Sequence, residues 1–284
     1  MPTNRPLAIV TGASTGIGYE LAKLCASNGF DLIVAADEAD IHKASVVFQS
    51  LGAMVEPVEV DLATLEGVEK LYEVARQSGR PIAALMANAG RGLGGGFLDQ
   101  DFKQAKHVLD TNILGTIYLI HLVAKDMRAR HDGRILITGS IAGFIPGSYQ
   151  AVYNGTKAFL DNFALGLRNE LQQTGITVSC LMPGATQTAF FERAGMVDTE
   201  IGQMKKDDPA DVAKAGFDLM MSGESAIVSG WQNKLEVILA KFVPSAILAD
   251  RHGKAAKPHS AINKLQALLA SIGGRWNLRL RSRK

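Results

Sequence analysis

Tyr153 and Lys157 stand four residues apart in the stretch Tyr153-Asn154-Gly155-Thr156-Lys157. If that stretch is helical, a phenol and an ammonium share one helix face, and the cation favours the phenolate. Such a pair can take a proton from a bound alcohol or return it. A free tyrosine titrates near 10, so acting as a base near neutrality requires about 4 kcal/mol in favour of the phenolate. One positive charge about 4 Å away, at an effective dielectric of 20, supplies roughly that amount. Two other readings compete, since Asn-Gly is a hairpin-turn signal and Asn-Gly-Thr fits an N-glycosylation acceptor.

The surrounding elements decide between them. Short apolar or β-branched runs at 7–11, 31–35, 54–60, 82–87, 134–138 and 176–182 alternate with segments of helical period such as 19–28 and 65–77. Strand and helix taking turns implies right-handed crossovers, hence an α/β fold with a doubly wound, Rossmann-like parallel sheet. In that order Gln150–Gln173 is a crossover helix, with Val152, Thr156, Phe159, Phe163, Leu167 and Leu171 expected on its buried face. One internal glycine costs about 1 kcal/mol there, too little to break so long a pattern. The hairpin reading fails, and Tyr153 and Lys157 become neighbours on a helix.

The first strand runs into Thr11-Gly12-Ala13-Ser14-Thr15-Gly16-Ile17-Gly18 and then a helix. Glycines at such a junction let the backbone approach a diphosphate, whose charge the helix N-terminus favours. A glycine-rich turn without a ligand reads the same locally. Asp37 follows Gly18 by 19 residues, with Glu38 beside it. That spacing suits a ribose 2′-hydroxyl, and two carboxylates there repel a 2′-phosphate, which favours NAD over NADP. Asp61-Leu62 ends the third strand and Asn88-Ala89-Gly90 the fourth, both at the sheet edge where such folds bind ligands.

In this order, the glycine motif, Asn88-Ala89-Gly90, Asn112, Ser140, Tyr153-x-x-x-Lys157 and Pro183-Gly184 resemble the short-chain dehydrogenase/reductase family over roughly residues 5–245. The resemblance implies that Tyr153 is the catalytic acid/base and that Lys157 is its activator and a ribose ligand. It implies that Ser140 bonds the substrate oxygen and that Asn112 anchors a relay water. It implies that Asp61 faces adenine, Asn88 supports the cofactor site, and Pro183, Gly184 and Thr188 line the nicotinamide pocket. Two departures bear on the cofactor. Family members that use NAD usually carry their acid where Ala36 stands, and many that use NADP place arginine at the position of Asp37 and a basic residue at that of Thr15.

The loops Gly143–Pro146 and Thr188–Met196 are rich in apolar bulk, which favours a small apolar secondary alcohol or ketone as substrate. Other functions on the same scaffold are a cofactor-binding regulator without turnover and an epimerase or dehydratase. A serine hydrolase is excluded, because Gly139-Ser140-Ile141-Ala142-Gly143 is not G-x-S-x-G. The six histidines show no paired spacing for a metal. With 47% apolar and 20% charged residues the chain is expected to be globular, and no readable signal peptide suggests a cytoplasmic protein. Ile113–Ala124, the longest apolar run, falls short of a bilayer span. Cys25 and Cys180 read as buried thiols.

The domain is expected to fill 1–245, followed by a basic, partly helical extension over 246–284. Residues 251–284 hold 9 of the 30 Lys and Arg and no acid, leaving 21 basic against 28 acidic residues before them. Ile262, Leu265, Leu268, Leu269 and Ile272 make an apolar stripe at helical spacing. Packing on the acidic body or on a second copy is favoured over an anionic membrane surface, and nucleic acid is disfavoured by the body's charge. A homo-oligomer, dimer or tetramer, is expected.

Overall fold

The structure is a computed structural model and describes residues 5–262. One all-parallel sheet has the order β3-β2-β1-β4-β5-β6-β7. Its strands are β1 (Leu7–Thr11), β2 (Asp31–Ala36), β3 (Val55–Glu59), β4 (Ile82–Ala87), β5 (Gly133–Thr138), β6 (Ile176–Met182) and β7 (Ala226–Val228). The six strands expected from sequence are present within a residue or so of their ends. The seventh was missed because three residues are too few to show a period.

The helices on the sheet are α1 (Gly16–Ser27), α2 (Asp40–Ser50), α3 (Leu65–Gln77), α4 (Phe102–Leu109), α5 (Thr116–Arg130) and α6 (Ala151–Glu170). Toward the C-terminus come the short α7 (Phe190–Arg193) and α8 (Glu200–Gln203), then α9 (Pro209–Ser222), α10 (Trp231–Ala240) and α11 (Ser245–Ala256). Local chemistry sets several of the ends. Thr64 caps α3 by accepting from the Gly67 amide, and Asp208 caps α9 ahead of Pro209, with Gly223 in the left-handed region closing it.

Strand side chains alternate between two cores. Ile9, Ile33, Leu85, Ile135 and Val178 pack toward α3, α5 and α6, which contribute Leu71, Leu119, Ile120 and Leu160. Ala8, Val10, Leu32, Val34, Met86 and Leu181 face the other way, onto α1, α2 and α9 through Leu21, Phe48, Val212 and Phe217. Helical residues Phe102–Arg130 are long and apolar enough to cross a bilayer by length and composition. Leu119, Ile120, Val123 and Met127, however, are buried in the first core.

Helix α6 contains Asn154-Gly155, as expected; of the face read in sequence Thr156 and Leu171 are buried and Phe163 and Leu167 pack partly buried on the first core, but the centre of the inward face is rotated from it. Asn154, Thr156, Lys157, Leu160, Asp161 and Ala164 are buried, whereas Phe159 is 40% exposed and stacks on Phe163. The face turned inward carries the polar groups of the cleft, so apolar periodicity pointed to the flank. The apolar stripe of the tail lies, apart from Ile262, outside the described residues.

Two glycines give opposite expectations. Gly155 has open space where a Cβ would project, so Gly155→Ala should stabilise the fold by about 1 kcal/mol. A Cβ on Gly115 would collide with the Leu62 carbonyl, so Gly115→Ala should cost about 2 kcal/mol. Urea unfolding of both variants beside the parent chain measures the two changes.

Candidate active site

Parallel strands send all their carboxyl ends to one edge, and the loops that leave them enclose a cleft of about 1040 Å³. After β1, Gly12, Ser14, Thr15, Gly16 and Ile17 line it. Gly12 and Gly16 hold φ of +65° and +61°, which glycine adopts without strain. Gly18 lies behind them, where a Cβ would collide with the Gly12 carbonyl. This bare backbone at the N-terminus of α1 fits a dinucleotide diphosphate. The Thr11 hydroxyl accepts the amides of Asn88 and Ala89, both at 3.0 Å, and Asn88 Nδ2 donates to the Thr11 carbonyl at 3.1 Å. These bonds lock the ends of β1 and β4 together at the switch point of the sheet.

Asp37, Asp61, Leu62, Asn88, Ala89 and Gly90 also line the cleft. Asp61 Oδ1 accepts the Ala63 amide at 2.9 Å, turning the chain toward α3. Neither carboxylate after β2 stands alone. Arg91 bonds Asp37 at 2.9 Å, while Glu38 accepts from the Ser14 hydroxyl at 2.5 Å and from Arg193 of α7 at 2.8 Å. Sequence reading missed both arginines, because Arg193 lies 155 residues from its partner.

The reactive groups meet on the opposite wall. Ser140 opens a 3₁₀ turn (Ile141–Phe144); its hydroxyl accepts the Ala142 amide at 3.1 Å and donates to the Pro183 carbonyl at 3.3 Å. The Ser140 hydroxyl stands close enough to Tyr153 to favour its phenolate. Asn154 donates to the Ile145 carbonyl at 2.9 Å and so ties α6 to this turn. Lys157 is 5% exposed, donates to the Thr138 carbonyl at 2.8 Å, and lies 5.9 Å from the centre of the Tyr153 ring. Asn112 sits in a π-helical turn (Asp110–Gly115) behind the cleft, fully buried. Its amide nitrogen donates to the Arg91 carbonyl and to Thr156 Oγ1, and its oxygen accepts the Arg91 amide at 2.7 Å. Both donors of this side chain are therefore engaged by protein.

Sequence reasoning expects a depressed phenol, and the packed site shows the reverse. Burial pushes Tyr153 up to about 12, with the Asp161 carboxylate adding to the rise and the neighbouring Ser140 hydroxyl opposing it. The same burial pulls the Lys157 ammonium down, opposed by the carboxylate of Asp161. Desolvation acts on both charged forms at once, a cost that the pairwise Coulomb argument leaves out.

Pro183, Gly184 and Thr188 form the third side. Phe190 packs on Tyr153 with ring centres 5.0 Å apart, and Gly92 makes room for it, since a Cβ there would collide with the Phe190 ring. The floor continues into α10 and α11 through Leu235, Leu239, Leu248, Arg251, His252 and Ala255. Helix α11 is held by Ser148 Oγ donating to the Ala249 carbonyl and by His252 Nδ1 against the Ser148 carbonyl, both at 2.9 Å. Residues 246–256 thus help to wall the cleft, a role that composition alone did not suggest.

A family model described as short chain dehydrogenase matches residues 6–197. An uncharacterized oxidoreductase of Staphylococcus saprophyticus is 33% identical over 213 residues, 74% of this chain and 89% of its own. A short-chain dehydrogenase from Sphingobium yanoikuyae, solved in complex with NADPH, superposes with a TM-score of 0.75 at 26% identity over 84% of this chain and 93% of its own. One from Burkholderia phymatum, in complex with NAD, gives 0.77 at 22% identity over 83% and 92%. The chain belongs to the short-chain dehydrogenase/reductase family and is an NAD(P)-dependent oxidoreductase.

The direction of the Tyr153 shift can be read without turnover. In cofactor-free protein, the ultraviolet difference between parent and Tyr153→Phe should show one phenol ionising above pH 11. A midpoint near or below 10 would contradict it.

Proposed function

We propose that this oxidoreductase interconverts an apolar secondary alcohol and its ketone with NAD, Tyr153 acting as acid/base. One observation carries the reading: Ser140, Tyr153 and Lys157 share a wall of the cleft whose far end is the bare glycine turn. When bound, NAD supplies the hydride acceptor and, in its oxidised form, a positive charge that favours the phenolate. Ser140 Oγ orients the substrate oxygen, and Tyr153 takes the hydroxyl proton during oxidation or returns it during reduction. Lys157 stabilises the phenolate and holds the ribose. Phe190 shields the phenol from water, and Phe191, Ile201, Met204, Leu235, Leu239 and Leu248 supply an apolar bed for the substrate.

Preference for NAD is supported by Asp37 and Glu38, whose carboxylates occupy the two nearby arginines. A 2′-phosphate would have to break these pairs and approach two anions. Self-association is supported by the exposed apolar residues Phe102, Leu109 and Leu114 on the α4–α5 run and Phe159 and Leu165 on α6.

Tyr153→Phe removes only the hydroxyl, so oxidation of any alcohol that the parent turns over should fall at least 1000-fold while NAD still binds. Near-parent activity in this variant would sink the mechanism. Asp37→Asn leaves Arg91 without its carboxylate and should shift the NAD:NADP ratio of kcat/KM toward NADP by up to about fivefold, the range of an exposed charge. A parent that prefers NADP would overturn the cofactor assignment.

A further inference from the structure

One buried charge in the cleft wall has no part in the reaction as described. Asp161 lies on α6 one turn beyond Lys157 and two beyond Tyr153, and is 5% exposed. Its Oδ1 accepts the Ser140 amide at 3.2 Å and lies 3.7 Å from the Cys180 thiol. Its Oδ2 has no hydrogen-bond partner among the described residues. Two glycines make room for it: a Cβ on Gly139 would collide with Oδ1, and one on Gly143 with Oδ2. The segment Gly139-Ser140-Ile141-Ala142-Gly143 is shaped around this carboxylate.

Burying an anion costs more than two weak hydrogen bonds return, unless a cation faces it. Lys157, one turn back on the same helix though not in ion-pair contact, is the cation whose charge reaches it. The other titratable groups facing the pair are the Tyr153 phenol on their own helix and the Cys180 thiol of β6. Neither is ionised near neutrality, since burial raises both. The turn after β5 contributes only the Ser140 amide and the Thr138 carbonyl.

We propose that Asp161 is a positioning residue of the reaction: a buried anion that fixes the Ser140 turn through its amide and supplies the counter-charge that keeps Lys157 an ammonium near Tyr153. The inference rests on the reading of Tyr153 and Lys157 as the working pair. Asp161 acts on the phenol as well, and there it opposes the phenolate, so the lysine and not the phenol reports its effect.

Asp161→Asn keeps an acceptor for the Ser140 amide and removes the charge. In full-length, cofactor-free protein carrying ¹³C-labelled lysine, the Lys157 resonance, assigned by its loss in Lys157→Met, should titrate at least one pH unit lower in Asp161→Asn. An unchanged midpoint overturns the inference. In alcohol oxidation kcat/KM should fall roughly tenfold at fixed pH as the Ser140 turn and the Lys157 charge lose their support, with NAD affinity held within about threefold. An unchanged kcat/KM also overturns it. If the parent oxidises no alcohol, the proposed function fails, and the lysine titration alone decides the role of Asp161. Should Asp161→Asn not fold, Gly139→Ala displaces the carboxylate without pressing on Lys157 and with every charge retained. A lowered Lys157 midpoint there supports the inference, and an unchanged one overturns it.

Discussion

An ammonium that is 95% removed from solvent survives in a folded protein only where its charge is answered, and Lys157 imposes that condition on everything near it. The Thr138 carbonyl at the end of β5 takes one of its protons. Asp161, one turn along the same helix, supplies the opposing charge. To admit that carboxylate, the chain after β5 carries glycine at both 139 and 143, and the turn between them presents Ser140. Asn112 braces α6 through Thr156 and the fourth-strand loop through Arg91. The position of Ser140 is thus a consequence of how one buried cation is satisfied.

Sheet topology determines what that wall faces. Because the strands are parallel, the glycine turn after β1 and the turn after β5 open on the same edge, separated by β4. The Thr11–Asn88 bonds hold this spacing rigid, so one extended ligand can reach from the glycine turn to Lys157. Arg193 reaches from α7 to Glu38 and joins the α7 side of the cleft to the end of β2 across its mouth. Both ion pairs there are partly exposed, which makes each weak and easily exchanged.

The C-terminal helices complete the apolar end. Helix α10 buries little beyond Val237 and Ala240, yet it supplies much of the floor. Helix α11 is drawn in by the Ser148 contacts and by Ala256, which packs fully buried beside Phe191, Ala194 and Met196. The apolar end of the cleft is consequently walled by segments distant in sequence from Ser140, Tyr153 and Lys157.

Much of this was legible in the chain itself, and the reason is locality. Strand and helix periods, the glycine turn that precedes α1, and the four-residue spacing of Tyr153 and Lys157 depend on neighbours a few residues away. Geometry within one element follows from composition. What needed the tertiary structure were contacts whose partners lie far apart: Arg91 and Arg193 on the acids after β2, α11 against the cleft, and β7 on the sheet edge. The inward face of α6 belongs with them. Its apolar periodicity pointed to Phe159 and Phe163, but the face that turns in carries Lys157 and Asp161, because a buried charge pair can sit there once Gly139 and Gly143 leave the space. The raised phenol has the same origin: spacing showed which cation stands near Tyr153, and only packing determines how much water is missing around both.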